Sequence, residues 1–350
     1  MPFTAEEILI AGKTAIDYDL KNRPIDQIKI QHPWSKKLMA GKKTYPGGKQ
    51  FISEQLRYRY QNNFQFYNGR TQVTYNIRDT IDKALYEYRG AHDGFSLDED
   101  RLVQNGITLT DNKTSVNSGA ERVMLTNLME EQTTVLRLGW DEEMEKHLLR
   151  DGTAGTDNIH GLDLLVALDP TTGTVGGIDR SVAANSWWRN NFATALTTTT
   201  DTGTIVEQME IGWRNCTRNG GMPNFIMVGS DFLDGYRNFL MKTFHQIHTV
   251  GGDKLDFEGG AGRITFKGIP LVWNPMFSVL DTEDSPAIPW EKRCYFINME
   301  YIRLRPIEGH DMISRKPPRP YDRYEYYWGL TWKGQETLSR GNAHWVGSLA

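Results

Sequence analysis

Apolar and polar positions change their spacing several times along this chain, and each change marks a different element. From Gln50 to Tyr60, apolar or aromatic residues alternate loosely with polar ones, the period-two pattern of a strand with one buried face. Asn68-Gly69 is a turn dipeptide whose two residues both accept positive φ. Val73–Ile77 can return as a strand, followed by Ala84–Arg89. The stretch from Lys49 to Phe95 therefore reads as a long hairpin. It is polar and aromatic, with few residues for a private core, and such a hairpin is marginal unless it lies against another surface.

The period then lengthens. Ser118-Gly119-Ala120-Glu121 matches a capping box, in which the hydroxyl and the carboxylate take free amides at a helix start. Beyond it Leu125, Met129, Leu136, Trp140, Met144 and Leu148 fall near every fourth residue, and Gly152 offers a stop. The spacing predicts a helix over 119–150. At about 1.5 Å per residue it is a rod of roughly 45–50 Å.

The second half alternates short helical and strand patterns. Ile205, Val206, Met209, Trp213 and Cys216 share a helical face that ends at Gly220-Gly221. Phe225–Val228 is a continuous apolar run, read as a buried strand, and Ser230 opens a second helix carrying Leu233, Tyr236 and Leu240. Ile264–Trp273 reads as a strand pair hinged at Lys267-Gly268, Tyr295–Leu304 as one strand, and Tyr324–Trp332 as an aromatic strand ending in a sheet. Residues 251–262 are Gly-rich and read as a loop. The fold class is α+β, with no internal repeat. Ahead of the hairpin, one short helical pattern near Glu6–Tyr18 precedes a basic stretch with Pro24, Pro33 and Pro46, an arm that must lie on something else.

Composition narrows the function classes. The 350 residues carry a net charge of −4, which argues against a dedicated nucleic-acid binder and leaves room only for sequence-blind contacts through local Lys and Arg. No apolar run approaches the roughly 18 residues of a membrane span, and the first residues lack a secretion signal. Cys216 and Cys294 are spaced neither as a metal site nor as a redox pair, and read as reduced buried thiols.

Fragments that resemble active sites fail on their chemistry. Gly12-Lys13-Thr14 looks like the end of a phosphate loop, but the glycine needed five positions before the Gly-Lys pair is Glu7, whose carboxylate repels phosphate. Asp201-Thr202-Gly203 matches an aspartic-protease triplet. That chemistry needs two such aspartates sharing a proton, and the second candidate, Asp281-Thr282-Glu283, has Glu for Gly. His245 and His248 can share a helix face but have no third ligand at a recognised spacing. Gly259–Arg263 misses the dinucleotide fingerprint because Thr265 stands at its third glycine position. Trp187-Trp188 and Tyr326-Tyr327-Trp328 read as core or interface packing before base stacking. No catalysis, cofactor or metal is expected.

One segment carries a resemblance. Gly161–Ser181, with its run GTVGGIDR, is followed by WWRN at 187–190 and closely resembles a stretch in major capsid proteins of tailed phages that share the Hong Kong 97 fold. PNFIMV at 223–228, FKGIPLVW at 266–273 and YFINMEYIRLR at 295–305 follow in the order that family shows, so the resemblance covers about residues 47–345.

The resemblance implies an N-terminal arm over 1–46, an extended loop over 47–97, and a peripheral domain over 98–199 containing the spine helix 119–150. It implies an axial domain over 200–306, with loop 251–262 as a contact around the capsomer centre, and a return to the peripheral domain over 307–350. The loop tip would be an assembly interface, with Phe64, Phe66, Tyr67, Asn68, Gly69, Arg70 and Tyr75 as its residues. The implied partners are copies of the chain in hexamers and pentamers, a portal protein, a possible decoration protein and packaged double-stranded DNA. Assembly in a bacterial cytoplasm and residence in the virion go with them. The chain ahead of the loop leaves no room for the fused scaffolding segment of some relatives, so a separate scaffolding protein or none is expected. No lysine lies between Lys49 and Lys83, so the tip cannot supply the isopeptide cross-link that welds some relatives. An encapsulin-like shell around a cargo enzyme is the alternative within the fold, and a hydrolase is the alternative of another class.

Overall fold

In the computed structural model, described for residues 29–98, 100, 104, 119–199, 203–218, 220–244, 264–317 and 325–350, helices and sheets are mixed as the patterning predicts. The early elements are α1 (Pro33–Ala40), the hairpin strands β1 (Phe51–Arg57) and β2 (Ile81–Glu87), and β3 (Arg89–Asp98). Next come the long α2 (Gly119–Leu149), the short α3 (Leu162–Leu165), β4 (Thr174–Val175), β5 (Ile178–Asp179) and β6 (Asn191–Leu196). The second half holds α4 (Ile205–Arg218), β7 (Phe225–Val228), α5 (Ser230–Phe244), β8 (Thr265–Phe266), β9 (Ile269–Trp273) and α6 (Met276–Asp284). Strands β10 (Arg293–Ile297), β11 (Ile302–Pro306), β12 (Ile313–Arg315), β13 (Glu325–Leu338) and β14 (Trp345–Leu349) complete it. Two compact units divide these residues, one drawing on 92–140 and 313–331, the other on 31–91, 141–312 and 332–350.

The larger unit is built on a six-stranded mixed sheet in the order β6-β14-β10-β7-β9-β8. The apolar run Phe225–Val228 is fully buried because both faces of β7 are covered. On one face Ile226, Val228, Cys294, Phe296 and Trp345 pack with Met209 and Trp213 of α4 and with Phe232, Tyr236 and Phe239 of α5. On the other, Trp34 of α1 stacks on Phe225 at 6.3 Å, and Phe277 of α6 lies 6.3 Å from Tyr295. The expected helical face of α4 is therefore the observed one, with only Val206 partly open. The Lys267-Gly268 hinge is a two-residue turn with both residues at positive φ, +52° and +82°, joining β8 to β9.

Two expectations change. Tyr295–Leu304 is two strands in two sheets, because Asn298 breaks it: its side-chain carbonyl accepts the Glu300 amide at 2.9 Å, and its amide donates to the Met222 carbonyl. Its first part, β10, lies in the large sheet, while the second, β11, pairs antiparallel with residues 334–338 of β13. Helix α1, absent from the sequence reading, is anchored by a side chain far along the chain. Glu145 accepts the amides of Trp34 at 3.1 Å and Ser35 at 2.5 Å, satisfying donors that a helix start leaves free. Burial pushes the Glu145 carboxyl up, against the pull of these bonds.

Helix α2 has nearly the expected extent, Gly119–Leu149, and Gly152 follows at φ +74°. Its apolar stripe is buried at Trp140, Met144 and Leu148, while Met129 and Leu136 are half-exposed. Ser118, whose hydroxyl was expected to cap it, lies outside the described residues. In the smaller unit β12 pairs with residues 329–331 of β13, and Phe95 of β3 stacks on Trp328 at 6.3 Å. The aromatic strand expected over 324–332 extends to Leu338. The helix expected near Glu6–Tyr18 and the loop 251–262 lie outside the described residues.

Candidate assembly interface

The hairpin of the larger unit has a folded root and an exposed tip. In the root, β1 and β2 pair from Phe51↔Glu87 to Arg57↔Ile81, and alternation buries Ile52 and Leu56 on one strand, Ala84 and Tyr86 on the other. Beyond Arg57 the ladder stops. Tyr58 donates its amide to the Thr80 carbonyl at 3.2 Å, and the Arg59 guanidinium reaches the Asp79 carboxylate at 3.2 Å. Val73–Ile77, expected as the returning strand, forms none: with no second sheet alongside, nothing holds these residues in register.

The Asn68-Gly69 turn is present but differs in kind from the expectation. Neither residue has positive φ. Instead the Asn68 carbonyl accepts the Thr71 amide at 2.9 Å and its side chain accepts the Arg70 amide at 3.2 Å, an Asx-supported turn in which Asn68 is the first residue. Phe64, Phe66, Tyr67, Asn68, Gly69, Arg70 and Tyr75 are all exposed, so the structure brings the expected residues together on one open segment. Phe66 is 89% exposed, Tyr75 90% and Ile77, which sequence reasoning missed, 97%. Phe64 and Phe66 meet edge to face at 5.1 Å and touch little else. Aromatic and aliphatic side chains are thus left in water along this segment.

The root is seated by the segment that carries the sequence resemblance. Gly176 and Gly177, at φ +58° and +76°, turn β4 into β5, and the Gly176 carbonyl accepts the Leu85 amide of β2 at 2.8 Å. A side chain at 176 would put its Cβ 2.8 Å from the Ala84 Cβ, so only glycine lets the strand approach. The platform is tied from below. The Trp188 indole donates to the Val175 carbonyl at 3.0 Å, Arg189 to the Arg180 carbonyl at 2.7 Å, and Asn190 to the Ala167 carbonyl at 2.9 Å. Trp187 lies 5.5 Å from the Tyr58 ring. Two further anchors join the root to the β11–β13 ladder: an Arg305–Glu54 ion pair at 2.5 Å and the buried Tyr86 hydroxyl on Leu338, whose burial pushes the phenol up.

The other candidates resolve structurally. The Asp281 carboxylate accepts the amides of Trp290 at 2.6 Å and Glu291 at 3.0 Å, a structural cap. Cys216 and Cys294 are buried in the helix-facing core, and burial pushes the Cys216 thiol up to about 12. Gly12-Lys13-Thr14, Asp201, Thr202, His245, His248 and Gly259–Arg263 lie outside the described residues. Among the described residues, no three His, Cys, Asp or Glu side chains converge as a metal site, and no helix is long and apolar enough to cross a membrane.

No protein-family model matches this sequence, and no curated protein does. Solved structures match along almost the whole chain. The capsid asymmetric unit of cyanophage A-1(L) superimposes with a TM-score of 0.56 at 16% identity, over 94% of this chain and 96% of that one. The capsid of an empty GTA particle gives 0.55 at 10% identity, over 94% and 100%. This chain has the Hong Kong 97 capsid fold. The holo-SrpI encapsulin complex from Synechococcus elongatus PCC 7942 also matches, with a TM-score of 0.52 at 11% identity, over 96% and 94%. Within its Hong Kong 97 fold, the chain shows root residues that sequence reasoning did not single out, Glu54, Tyr86 and Arg305. Their partners lie some 250 positions away, and no local spacing signals them.

Proposed function

We propose that this chain is the major capsid protein of a tailed double-stranded DNA phage, a structural subunit that assembles with copies of itself and catalyses nothing. The observation that carries the reading is the hairpin: a root fixed at three points and a tip whose aromatics are exposed, with no strand partner among the described residues. A neighbouring subunit covers the tip, and its free backbone groups pair on that subunit's surface. Closed rings of five and six subunits follow from repeating this head-to-tail contact.

In this reading residues 1–46 are the arm, 47–97 the extended loop, 98–199 the peripheral domain, 200–306 the axial domain and 307–350 the return strand. The shell is part of the virion, assembles in the bacterial cytoplasm and encloses DNA that it touches without regard to sequence. A portal protein occupies one vertex, a separate scaffolding protein guides closure, and a decoration protein can add the stability that a tip without lysine cannot supply covalently.

Analytical ultracentrifugation of the purified chain, alone and with candidate scaffolding proteins, tests this. Particles sedimenting far faster than a 40.1 kDa chain support it, and a monomer in every condition overturns it. Shells that co-purify with a cargo enzyme and without phage proteins would select the encapsulin reading.

A further inference from the structure

Beside the hairpin root lies a small pocket of about 220 Å³ whose charged lining is entirely basic. Lys49, two residues before β1, enters from the root, while His310 and Lys333 enter from the ladder side. Tyr88, directly after β2, closes it. Among the described residues none of these three basic groups has an ion-pair partner. No carboxylate among the described residues lines the pocket: Asp311 pairs with Lys42, Glu87 with Arg89 at 2.7 Å and Glu54 with Arg305, while the exposed Glu308 and the buried Glu336 lie outside the lining. The segment just ahead of β1 carries unbonded amides. The Gly47-Gly48 turn lines the pocket, and no acceptor among the described residues takes the amides of Gly47, Gly48 or Lys49.

Two lysines and a histidine line this surface pocket with no carboxylate in the lining, and they raise the local potential in a chain whose net charge is negative. Backbone amides of a glycine turn backed by lysine suit an oxyanion, and a tetrahedral one can accept from several sides at once. We propose that this pocket is an anion site of the phosphate class, occupied either by free orthophosphate or by a phosphodiester of a polynucleotide. Its ligand bridges the root residue Lys49 to Lys333 and His310 of the ladder, and so stiffens the base of the hairpin. The binding step stands alone; only the consequence of that stiffening for shell assembly rests on the capsid reading.

Hydrogen exchange on the unassembled full chain tests it, since failure of shell formation leaves this measurement untouched. Phosphate is titrated against chloride at matched ionic strength, and a short DNA duplex is tested in parallel. Wild type is expected to gain protection at residues 47–51. The Lys49→Gln/Lys333→Gln variant should need about tenfold more ligand or fail to respond. Lys49→Arg/Lys333→Arg, which keeps both charges, should restore the response and guards against misfolding of the first variant. Protection by phosphate identifies the free anion as sufficient, and protection by duplex alone identifies the phosphodiester as the source. No protection by either, or equal protection in wild type and the glutamine variant, overturns the site.

Discussion

The Tyr86 hydroxyl donates to the Leu338 carbonyl at 2.8 Å and accepts from the Leu338 amide at 3.3 Å, so one side chain satisfies both backbone groups of a buried residue. Leu338 is the last residue of β13, paired with Ile302, and the hydroxyl stands where a further strand would. Tyr86→Phe removes that bridge and leaves a buried donor and acceptor unpaired. The expected cost is about 1–3 kcal/mol in chemical denaturation, with faster amide exchange at Ile81–Glu87.

Gly176→Ala attacks the same root from the platform side. It places a Cβ against Ala84 and asks an L-residue to hold φ +58°. We expect about 1–3 kcal/mol of destabilisation. Adding Ala84→Gly should recover only part of the steric cost, because the Tyr86 ring stays 3.0 Å from the new Cβ, and none of the backbone part. Full recovery in the double variant would remove backbone strain from the explanation.

How much of this was legible in the sequence differs by element. Phe225–Val228 and the α4 face were readable because burial on both sides or on one side leaves its period in the chain. The break at Asn298 was not, because the residues around it are as apolar as a strand and one side chain makes the turn. Helix α1 depends on Glu145, more than a hundred residues on, so its start carries no local cap signal. The tip was legible as aromatics without a core. The role of GTVGGIDR as the hairpin's seat was not, since that role is a backbone bond from Leu85 to Gly176 and a close approach to Ala84, neither of which leaves a local spacing.

Two buried groups pull stability in opposite directions as pH changes. Burial pulls the His344 imidazole down to about 3 from 6.5, and its Nδ1 accepts the Asn298 amide at 3.2 Å. A depressed folded value means that its contribution is complete above 6.5 and is lost as pH falls toward 3. Glu336, buried with neither oxygen hydrogen-bonded, is pushed well above 4.5, with the Glu145 carboxylate adding to the shift. Its contribution is complete below 4.5 and is lost as pH rises through the raised value. Glu336→Gln is expected to remove the loss of stability on raising pH above 4.5 and to leave the loss on lowering pH from 6.5 toward 3, read as denaturation midpoints across pH.

Serine at Phe64, Phe66, Tyr75 and Ile77 together should leave the unassembled chain within about 0.5 kcal/mol of wild type, because these side chains are exposed. The same variant should lose assembly. Unchanged assembly would move the interface away from the tip, and a large loss of monomer stability would show that the tip packs at home.

The most direct measurement is electron microscopy of the purified wild-type chain, expressed alone and with candidate scaffolding proteins. Closed hollow shells, or five- and six-membered rings, are the expected result. A monodisperse monomer under every condition, scaffold included, would contradict self-assembly as what this chain does.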